Sequence, residues 1–111
     1  MRCVESIAHY FSSAEIVEAH HETKLDRPSG TALRTAEQIQ QVNACQPPIH
    51  SIRLPGFVAR QEVVFGAPAE TLTIIHHVSD REAYMPGLVL ACQKVTTFEQ
   101  IYYGLEYCLE R

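Results

Sequence analysis

The sequence has no basic tract, no long apolar run and no recognisable leader, and each of these absences removes a class of function. Its 111 residues carry a formal net charge of -4 at pH 7, whereas nucleic-acid-binding proteins need a basic face that neutralises phosphates. A membrane-spanning helix needs about 20 consecutive apolar residues, and no stretch approaches that length. The opening segment MRCVESIAHYF lacks the basic-then-apolar layout of a signal peptide. The composition therefore predicts one globular domain that binds neither nucleic acid nor membrane.

The cysteines are too widely spaced for a metal or disulfide framework. Cys3, Cys45, Cys92 and Cys108 form no CxxC pair, and such frameworks use close, repeated spacings. Four reduced thiols, some of them buried as small hydrophobes, fit the reducing cytosol. The sequence therefore predicts a cytoplasmic protein without structural disulfides.

The glycines are also scattered, at positions 30, 56, 66, 87 and 104. No G-x-G-x-x-G follows a predicted strand, and that motif is the fingerprint of a dinucleotide-binding Rossmann domain. No residue of this chain is therefore expected to form a dinucleotide-binding site of that kind.

The hydrophobic pattern predicts an α+β fold, with a mixed sheet of about four strands and helices on one face. The predicted helices span residues 1–11, 31–45 and 85–95, and the predicted strands span residues 14–21, 50–54, 60–65 and 70–78. Turns are expected at 55–56 and 66–68, where proline and glycine cluster. In the last helix Leu88, Val89, Ala91 and Cys92 are the predicted inner face, and the apolar tail 98–109 is expected to pack against the rest of the protein.

The later strands carry apolar residues on both faces. Val63, Val64 and Phe65 follow one another, as do Ile74 and Ile75 after Leu72. Because helices cover only one face, we expect the open face to be buried against another subunit or another domain.

One stretch, EAHHETKLDRPSGTA at residues 18–32, concentrates chemically active side chains. Neighbouring strand residues face opposite sides, so His20 and His21 are expected to have different roles. Lys24 follows in a loop, and Ser-Gly-Thr then begins a helix whose free N–H groups and positive dipole end attract anions. Gly30 allows a ligand to approach the backbone closely. The stretch predicts a site for a carboxylate-bearing small molecule, with proton transfer to it.

Each of these features also has a purely structural explanation. Ser-Gly-Thr before a helix is often only a cap, through Ser29 or Thr31. A histidine pair is more often a polar surface feature than a site, and Lys24 with Asp26 alone would be a solvated loop. The functional interpretation depends on their combination at this spacing.

The stretch resembles the substrate-binding loop of the dihydrodipicolinate reductase (4-hydroxy-tetrahydrodipicolinate reductase) family, whose pattern is E-x-H-H-x-x-K-x-D-x-P-S-G-T-A. All nine specified positions after the glutamate match: His20, His21, Lys24, Asp26, Pro28, Ser29, Gly30, Thr31 and Ala32. The segments SIRLPGFVARQEVVFG and ETLTIIHHVSDREAYMPG and the closing helix resemble the C-terminal domain of that enzyme. The resemblance covers essentially the whole chain.

The resemblance implies a reduction in the diaminopimelate–lysine pathway. A nicotinamide cofactor, NADPH or NADH, would give a hydride to dihydrodipicolinate, a cyclic dicarboxylate, and the product would be tetrahydrodipicolinate. His20 is the family's proton donor or acceptor, and Lys24 its proton donor. The implied substrate-binding residues are His21, Ser29, Gly30 and Thr31, of which Gly30 and Thr31 hold a carboxylate and Ser29 shapes that site.

The same resemblance makes residues 1–111 the C-terminal substrate-binding and tetramerisation domain. The N-terminal Rossmann domain, which binds most of the cofactor, is absent from this sequence. We therefore expect the chain to be inactive alone and to form a homotetramer.

Three arginines and one histidine pair are not explained by the motif. Arg27 replaces a common small residue and is expected to be solvated; Arg60 stands where the family commonly has histidine or glycine; Arg81 matches a family arginine whose role stays open. His76 and His77 point apart on a strand, so no metal site is expected there.

Two alternatives to a reductase domain remain. One is an oligomerising module that binds a dicarboxylate without activity of its own. The other is a histidine-dependent metalloprotein, which would need ligands from several elements.

Overall fold

The computed structural model describes residues 2–109, and the chain divides into two compact units between Ser79 and Asp80. The first unit contains helices α1 (Arg2–Ala8) and α2 (Gly30–Asn43) and strands β1 (Ser13–His20), β2 (Ile49–Arg53), β3 (Ala59–Ala67) and β4 (Glu70–Val78). The second unit contains α3 (Met85–Lys94), α4 (Glu106–Leu109) and 3-10 turns at Arg81–Tyr84 and Val95–Thr97.

The four strands form one mixed sheet in the order β2-β1-β3-β4. β1 pairs with β2 in parallel, while β3 is antiparallel to both β1 and β4. Helix α2 makes the crossover that a parallel pair requires. The predicted α+β fold with a mixed four-stranded sheet is confirmed.

The core lies between one face of the sheet and the two helices of the first unit. Ile16 and Ala14 on β1 pair with Val63 and Phe65 on β3, and alternation along a strand places all four on the same face. The buried cluster is completed by Val4 and Ala8 from α1 and by Ala32 and Ile39 from α2. Each large apolar side chain contributes about 1.5–3 kcal/mol by leaving water, so this face fixes the positions of β1 and α2.

Helix α2 begins one residue earlier and ends two residues earlier than its pattern predicts. It ends at Asn43 because Ala44 adopts a left-handed conformation, with φ 61°. The Asn43 amide donates to the carbonyl oxygens of Ala8 and Phe11 at 3.1 and 2.8 Å. The end of α2 is thereby attached to the end of α1.

Other element bounds differ from the predictions for local reasons. α1 ends at Ala8 rather than residue 11, because Tyr10 N–H donates to the Ile7 carbonyl in a turn. β3 continues through 66 and 67, and the hairpin turn lies at Pro68 and Ala69, where Ala69 has φ 67°. Strand β4 has the predicted bounds.

The predicted inner face of α3 is wrong at three of its four positions. Leu88, Val89 and Cys92 are exposed, whereas Ala91 is half-buried, together with Gly87 and Leu90. A methyl group at Gly87 would lie 2.7 Å from Leu105 Cδ2. The missing side chain of this glycine therefore leaves room for Leu105 of the apolar tail. The tail packs within its own unit, where Phe98, Tyr102 and Tyr107 form ring contacts at 4.9 and 4.8 Å and Cys108 is buried.

The face of the sheet opposite the core is mixed rather than apolar. On this face, Glu15 of β1 lies opposite Val64 of β3, and Val17 of β1 lies opposite Glu62 of β3. Its use in oligomerisation stays a prediction. No helix in the described range 2–109 is both long and apolar enough to cross a bilayer.

The left-handed residue after α2 gives a stability prediction. Ala44→Gly should raise the free energy of unfolding by roughly 0.5–1 kcal/mol, because relief of about 1–2 kcal/mol of left-handed strain exceeds the extra unfolded-state entropy of glycine. Urea unfolding measures this change. Glu37→Gly, in the exposed middle of α2, should lower stability by about 1 kcal/mol; equal losses in both variants would contradict the capping argument.

Candidate active site

The centre of the site is a buried carboxylate that sequence reasoning did not single out. Glu18 lies on β1 in phase with Ala14 and Ile16, and its side chain is completely buried. Arg53 on β2 donates from Nη1 to Oε1 at 2.8 Å and from Nη2 to Oε2 at 2.9 Å. Ser51 is the register partner of Glu18, and its hydroxyl donates to Oε2 at 2.7 Å.

The same carboxylate receives two further hydrogen bonds from residues of the motif. Nδ1 of His20 lies 2.7 Å from Oε1, and the backbone N–H of Ser29 donates to Oε2 at 3.0 Å. Glu18 therefore connects the end of β1 to the start of α2. It brings the predicted proton-transfer residue close to the predicted anion site.

These contacts decide the charge of Glu18. Burial by itself raises the pKa of a carboxyl group, because desolvation disfavours its charged form. Hydrogen bonds from Arg53, Ser51, His20 and the Ser29 N–H act in the opposite direction, and together they lower the pKa of Glu18 from 4.5 to about 2. Hydrogen bonding to Glu18 in turn raises the pKa of Arg53. The pair is fully ionised near neutral pH.

The start of α2 offers two backbone N–H groups to a ligand. Ser29 is the N-cap, and its hydroxyl accepts the N–H of Ala32 at 3.2 Å, which decides between the two candidate caps. The first N–H groups of a helix have no intrahelical partner, and that of Ser29 itself is bound to Glu18. The N–H groups of Gly30 and Thr31 remain at the positive end of the helix dipole, where an anion is stabilised.

The space in front of Gly30 is open. A methyl group at this position would meet nothing within 4 Å, and the residue does not have a positive φ. The fold of the chain therefore does not require glycine here. Close approach of a ligand to the backbone would require it.

The loop between β1 and α2 positions Lys24. Its Nζ lies 3.0 Å from Asp26 Oδ1, and the hydrogen bond from Lys24 lowers the pKa of Asp26. The Asp26 carbonyl accepts from Arg53 Nη2 at 2.8 Å. Because Arg53 also holds Glu18, the loop that carries Lys24 is attached to the same network as His20.

His21 lies beyond the end of β1 and is exposed. Its Nδ1 accepts the backbone N–H of Thr23 at 3.2 Å and lies 3.0 Å from the Thr23 hydroxyl. Its ring is therefore oriented by the loop and not by the sheet.

Sequence reasoning missed Glu18, Ser51 and Arg53, although one signal was present. Glu18 occupies the apolar phase of β1, after Ala14 and Ile16, and a charged residue in a core phase needs a buried partner. The identity of that partner depends on the parallel register of β1 and β2, which the sequence does not state.

The remaining polar residues lie elsewhere. Arg27 is exposed, as expected. Arg60 donates to Glu62 at 3.1 Å, and alternation places both on the sheet face opposite the core. Arg81 belongs to the second unit. Over residues 2–109, no group of three or more His, Cys, Asp or Glu side chains is arranged to hold a metal ion.

The fold and the site together define an α+β domain in which one buried carboxylate connects a helix N-terminus to a histidine. The family model described as "Dihydrodipicolinate reductase, C-terminus" matches residues 1–109. The chain belongs to this family, and the resemblance stated from the motif is confirmed.

Known proteins show the same likeness. The chain is 45% identical over 130 aligned positions to the 4-hydroxy-tetrahydrodipicolinate reductase of Legionella pneumophila (strain Corby), covering 98% of this chain and 53% of the relative. It is 46% identical over 110 positions to the enzyme of that name from Symbiobacterium thermophilum, covering 96% and 43%. The chain thus spans about half the length of the curated relatives it matches.

A solved structure with the same fold is the dipicolinate-bound dihydrodipicolinate reductase from Paenisporosarcina sp. TG-14. The TM-score is 0.83 at 33% sequence identity, and the match covers 96% of this chain and 48% of that chain.

The ionised Glu18 makes the stability of the chain depend on acid pH. Its pKa falls from 4.5 to about 2 on folding, so its stabilising contribution is complete above the unfolded value and is lost as pH falls toward the folded value. The difference between the two pKa values corresponds to about 3 kcal/mol of folding free energy, since one pKa unit is about 1.4 kcal/mol. Urea unfolding at a series of pH values from about 5 to about 2 should show this loss.

A double variant isolates the contribution of the pair. Glu18→Gln with Arg53→Met removes both buried charges. Removing only one of them would leave an unpaired buried charge, at a cost of about 3–5 kcal/mol. Its stability should depend less steeply on acid pH than that of the original chain. The control is Glu22→Gln, since Glu22 is exposed, and it should retain the full dependence; an unchanged slope in the double variant would show that Glu18 is not the responsible group.

Proposed function

We propose that residues 1–111 are the substrate-binding and proton-transferring domain of an NAD(P)H-dependent 4-hydroxy-tetrahydrodipicolinate reductase, acting in lysine and diaminopimelate biosynthesis. The observation that carries this proposal is the single carboxylate of Glu18, which joins His20 to the start of α2 in a chain of that family. The proposed substrate is a cyclic unsaturated dicarboxylate related to the dipicolinate bound by the similar structure.

One substrate carboxylate binds at the N-terminus of α2. The N–H groups of Gly30 and Thr31 donate to it, and the helix dipole stabilises its charge. Ser29 maintains this geometry, since its hydroxyl caps the helix and its N–H is bound to Glu18. Lys24 supplies a cation on the adjoining loop, and His21 supplies a polar ring beside it.

The reduction needs a proton in addition to a hydride. When bound, a nicotinamide cofactor supplies the hydride, which forms a new C–H bond on the conjugated ring and moves an electron pair onto the ring. His20 or Lys24 then donates a proton that forms the second bond, so that the substrate gains two electrons and two hydrogens. The cationic Lys24 and the helix N-terminus stabilise the charge that develops before the proton arrives.

The residues of this chain fit the substrate and not the nucleotide. Its five glycines are scattered and form no G-x-G-x-x-G, so the phosphates of NADPH or NADH have no backbone loop of that kind here. Most contacts to the cofactor would then come from residues outside this sequence.

We also propose that the chain assembles as a homotetramer through the sheet face opposite the core. A shallow cavity of about 510 Å³ on this unit is lined by Val17, Pro48 and Val64 with the His50–Glu15 pair at 2.6 Å. On β4, Ile75 is 53% exposed. Sedimentation of the purified chain should show a tetramer at micromolar concentration, and a monomer there would contradict this assembly.

The anion site is tested by adding one methyl group. Gly30→Ala should lower the affinity for dipicolinate tenfold or more, about 1.4 kcal/mol, because the methyl group occupies the space of the carboxylate. Stability should not fall, since nothing lies within 4 Å of that methyl group. Calorimetric titration and urea unfolding of the chain measure the two effects.

Gly66→Ala is the matched control. Gly66 also has open space around it and no positive φ, but it lies on β3 away from the motif. It should bind dipicolinate as the original chain does. If Gly30→Ala binds dipicolinate as tightly as the original chain, the carboxylate does not bind at the start of α2.

Turnover tests the enzymatic part of the proposal. The chain alone should not oxidise NADPH, whereas a chimera in which it replaces the matched segment of the Legionella pneumophila relative should do so. In that chimera His20→Asn should lower kcat by about 10²–10⁴ with little change in dipicolinate affinity, because asparagine keeps a donor toward Glu18 and lacks Nε2.

The competing function is a dicarboxylate-binding module without activity. It needs only the free N–H groups at the start of α2 and the cation of Lys24, which bind a dicarboxylate whether or not His20 transfers a proton. Dipicolinate binding by the chain together with an inactive chimera would support this module, and turnover by the chimera excludes it.

A further inference from the structure

The two adjacent histidines have opposite partners at the same ring atom. Nδ1 of His20 faces the Glu18 carboxylate at 2.7 Å, whereas Nδ1 of His21 faces the backbone N–H of Thr23 at 3.2 Å. In a neutral imidazole one nitrogen donates and the other accepts. Each partner therefore determines which nitrogen of its histidine carries the proton.

The partner of His20 can only accept. Glu18 is ionised because Arg53 and its other donors lower its pKa to about 2, and an ionised carboxylate has no proton to give. Nδ1 of His20 must therefore carry the hydrogen, which leaves the lone pair of the neutral ring on Nε2. Arg53 holds both oxygens of Glu18, so the carboxylate cannot turn away from this contact.

The partner of His21 can only donate. A backbone N–H has no lone pair to offer, so Nδ1 of His21 accepts and its proton lies on Nε2. The hydroxyl of Thr23, 3.0 Å from the same nitrogen, is also able to donate to it.

We infer that Glu18 and Thr23 hold the neighbouring histidines in opposite tautomers, so that Nε2 of His20 is the proton-transferring atom and Nε2–H of His21 is a hydrogen-bond donor. The assignment of the tautomers rests on the hydrogen bonds alone. Only the two roles toward a substrate rest on the proposed reductase function. Glu18 is thus a positioning residue, which acts through His20 and does not touch the substrate.

The two rings then have separate tasks. His20 takes up a proton at Nε2, and the resulting imidazolium keeps its Nδ1–H on Glu18. After hydride arrives, the Nε2 proton passes to the substrate, and His20 returns to its starting tautomer. His21 donates one hydrogen bond throughout and changes neither charge nor tautomer.

An amide in place of Glu18 should reverse the tautomer of His20. Oε2 accepts from Ser51, Ser29 N–H and Arg53, whereas Oε1 accepts only from Arg53 and His20. The carbonyl oxygen of a glutamine therefore takes the Oε2 position, and its NH2 group faces His20 Nδ1. That ring must then accept at Nδ1 and carry its proton on Nε2. In other carboxylate–histidine pairs such an exchange leaves the wrong tautomer and lowers kcat by about 10⁴.

Nitrogen NMR on the 15N-labelled chain tests the inference without any ligand. In alkaline buffer, where histidine is neutral, couplings between ring nitrogens and carbon-bound protons report the tautomer. His20→Asn and His21→Asn assign the two rings among the six histidines. We expect Nδ1–H for His20 and Nε2–H for His21. The same tautomer in both rings, or Nε2–H in His20, would overturn the inference.

A variant series tests the role of Glu18. Glu18→Gln with Arg53→Met should convert His20 to Nε2–H and leave His21 unchanged, since Ser51 and Ser29 N–H still fix the amide oxygen. Arg53→Lys keeps a cation beside the carboxylate and should keep Nδ1–H, and Glu22→Gln should change neither ring. An unconverted His20 in the double variant contradicts the positioning role. If the double variant does not fold, the tautomers of the unmodified chain still decide the inference.

The chimera with the Legionella pneumophila relative separates the inference from the proposed function. Relative to Arg53→Lys, the double variant should lower kcat at least a hundredfold and leave dipicolinate affinity within twofold. An inactive parent chimera with the expected tautomers would refute the proposed function and leave the tautomer assignment standing. A double variant as active as its Arg53→Lys control would refute the role given to His20 Nε2.

Discussion

The buried pair of Glu18 and Arg53 is the interaction on which the rest of the site depends. Placing a carboxylate and a guanidinium in the interior costs several kcal/mol for each ion, and their attraction compensates only if the remaining hydrogen-bonding groups are also satisfied. Here Glu18 receives five hydrogen bonds, from Arg53 twice and from Ser51, His20 and Ser29 N–H. The condition is met on the carboxylate side and not fully on the guanidinium side, since Arg53 Nε is buried without a partner among the described residues. The groups that offset the cost of burial are therefore the same groups that form the site.

This arrangement follows from the topology. Glu18, Ser29 and Arg53 are far apart in sequence, and the parallel β1–α2–β2 connection brings them together at one end of the sheet. The carboxyl ends of parallel strands, with a helix N-terminus between them, are a common place for ligand sites. The apolar face of the sheet holds α2 in position, and the Glu18–Ser29 hydrogen bond fixes its first residue.

Sequence reasoning identified the elements and the motif but not the contacts that connect them. Alternation and helical periodicity located all four strands and the helices of the first unit, with errors of one to three residues where Ala44 and Tyr10 end helices. The inner face of α3 was wrong at Leu88, Val89 and Cys92 because hydrophobicity alone does not show that Gly87 is where Leu105 packs. Glu18 was missed because its partners depend on strand register, which becomes visible only in three dimensions.

A carboxylate beside an anion site appears contradictory, and the charges around Glu18 resolve the difficulty. Arg53 neutralises Glu18 within the protein, so the pair adds little net field at the start of α2. Lys24 is likewise paired with Asp26, whose carboxylate is 60% exposed. In the proposed function, an incoming dicarboxylate would replace the exposed Asp26 at Lys24 at small cost, because exposed ion pairs contribute little, whereas the fully buried Glu18 would stay in place. The two acidic residues thus differ in burial: Glu18 contacts His20 from the interior, and Asp26 contacts Lys24 at the surface.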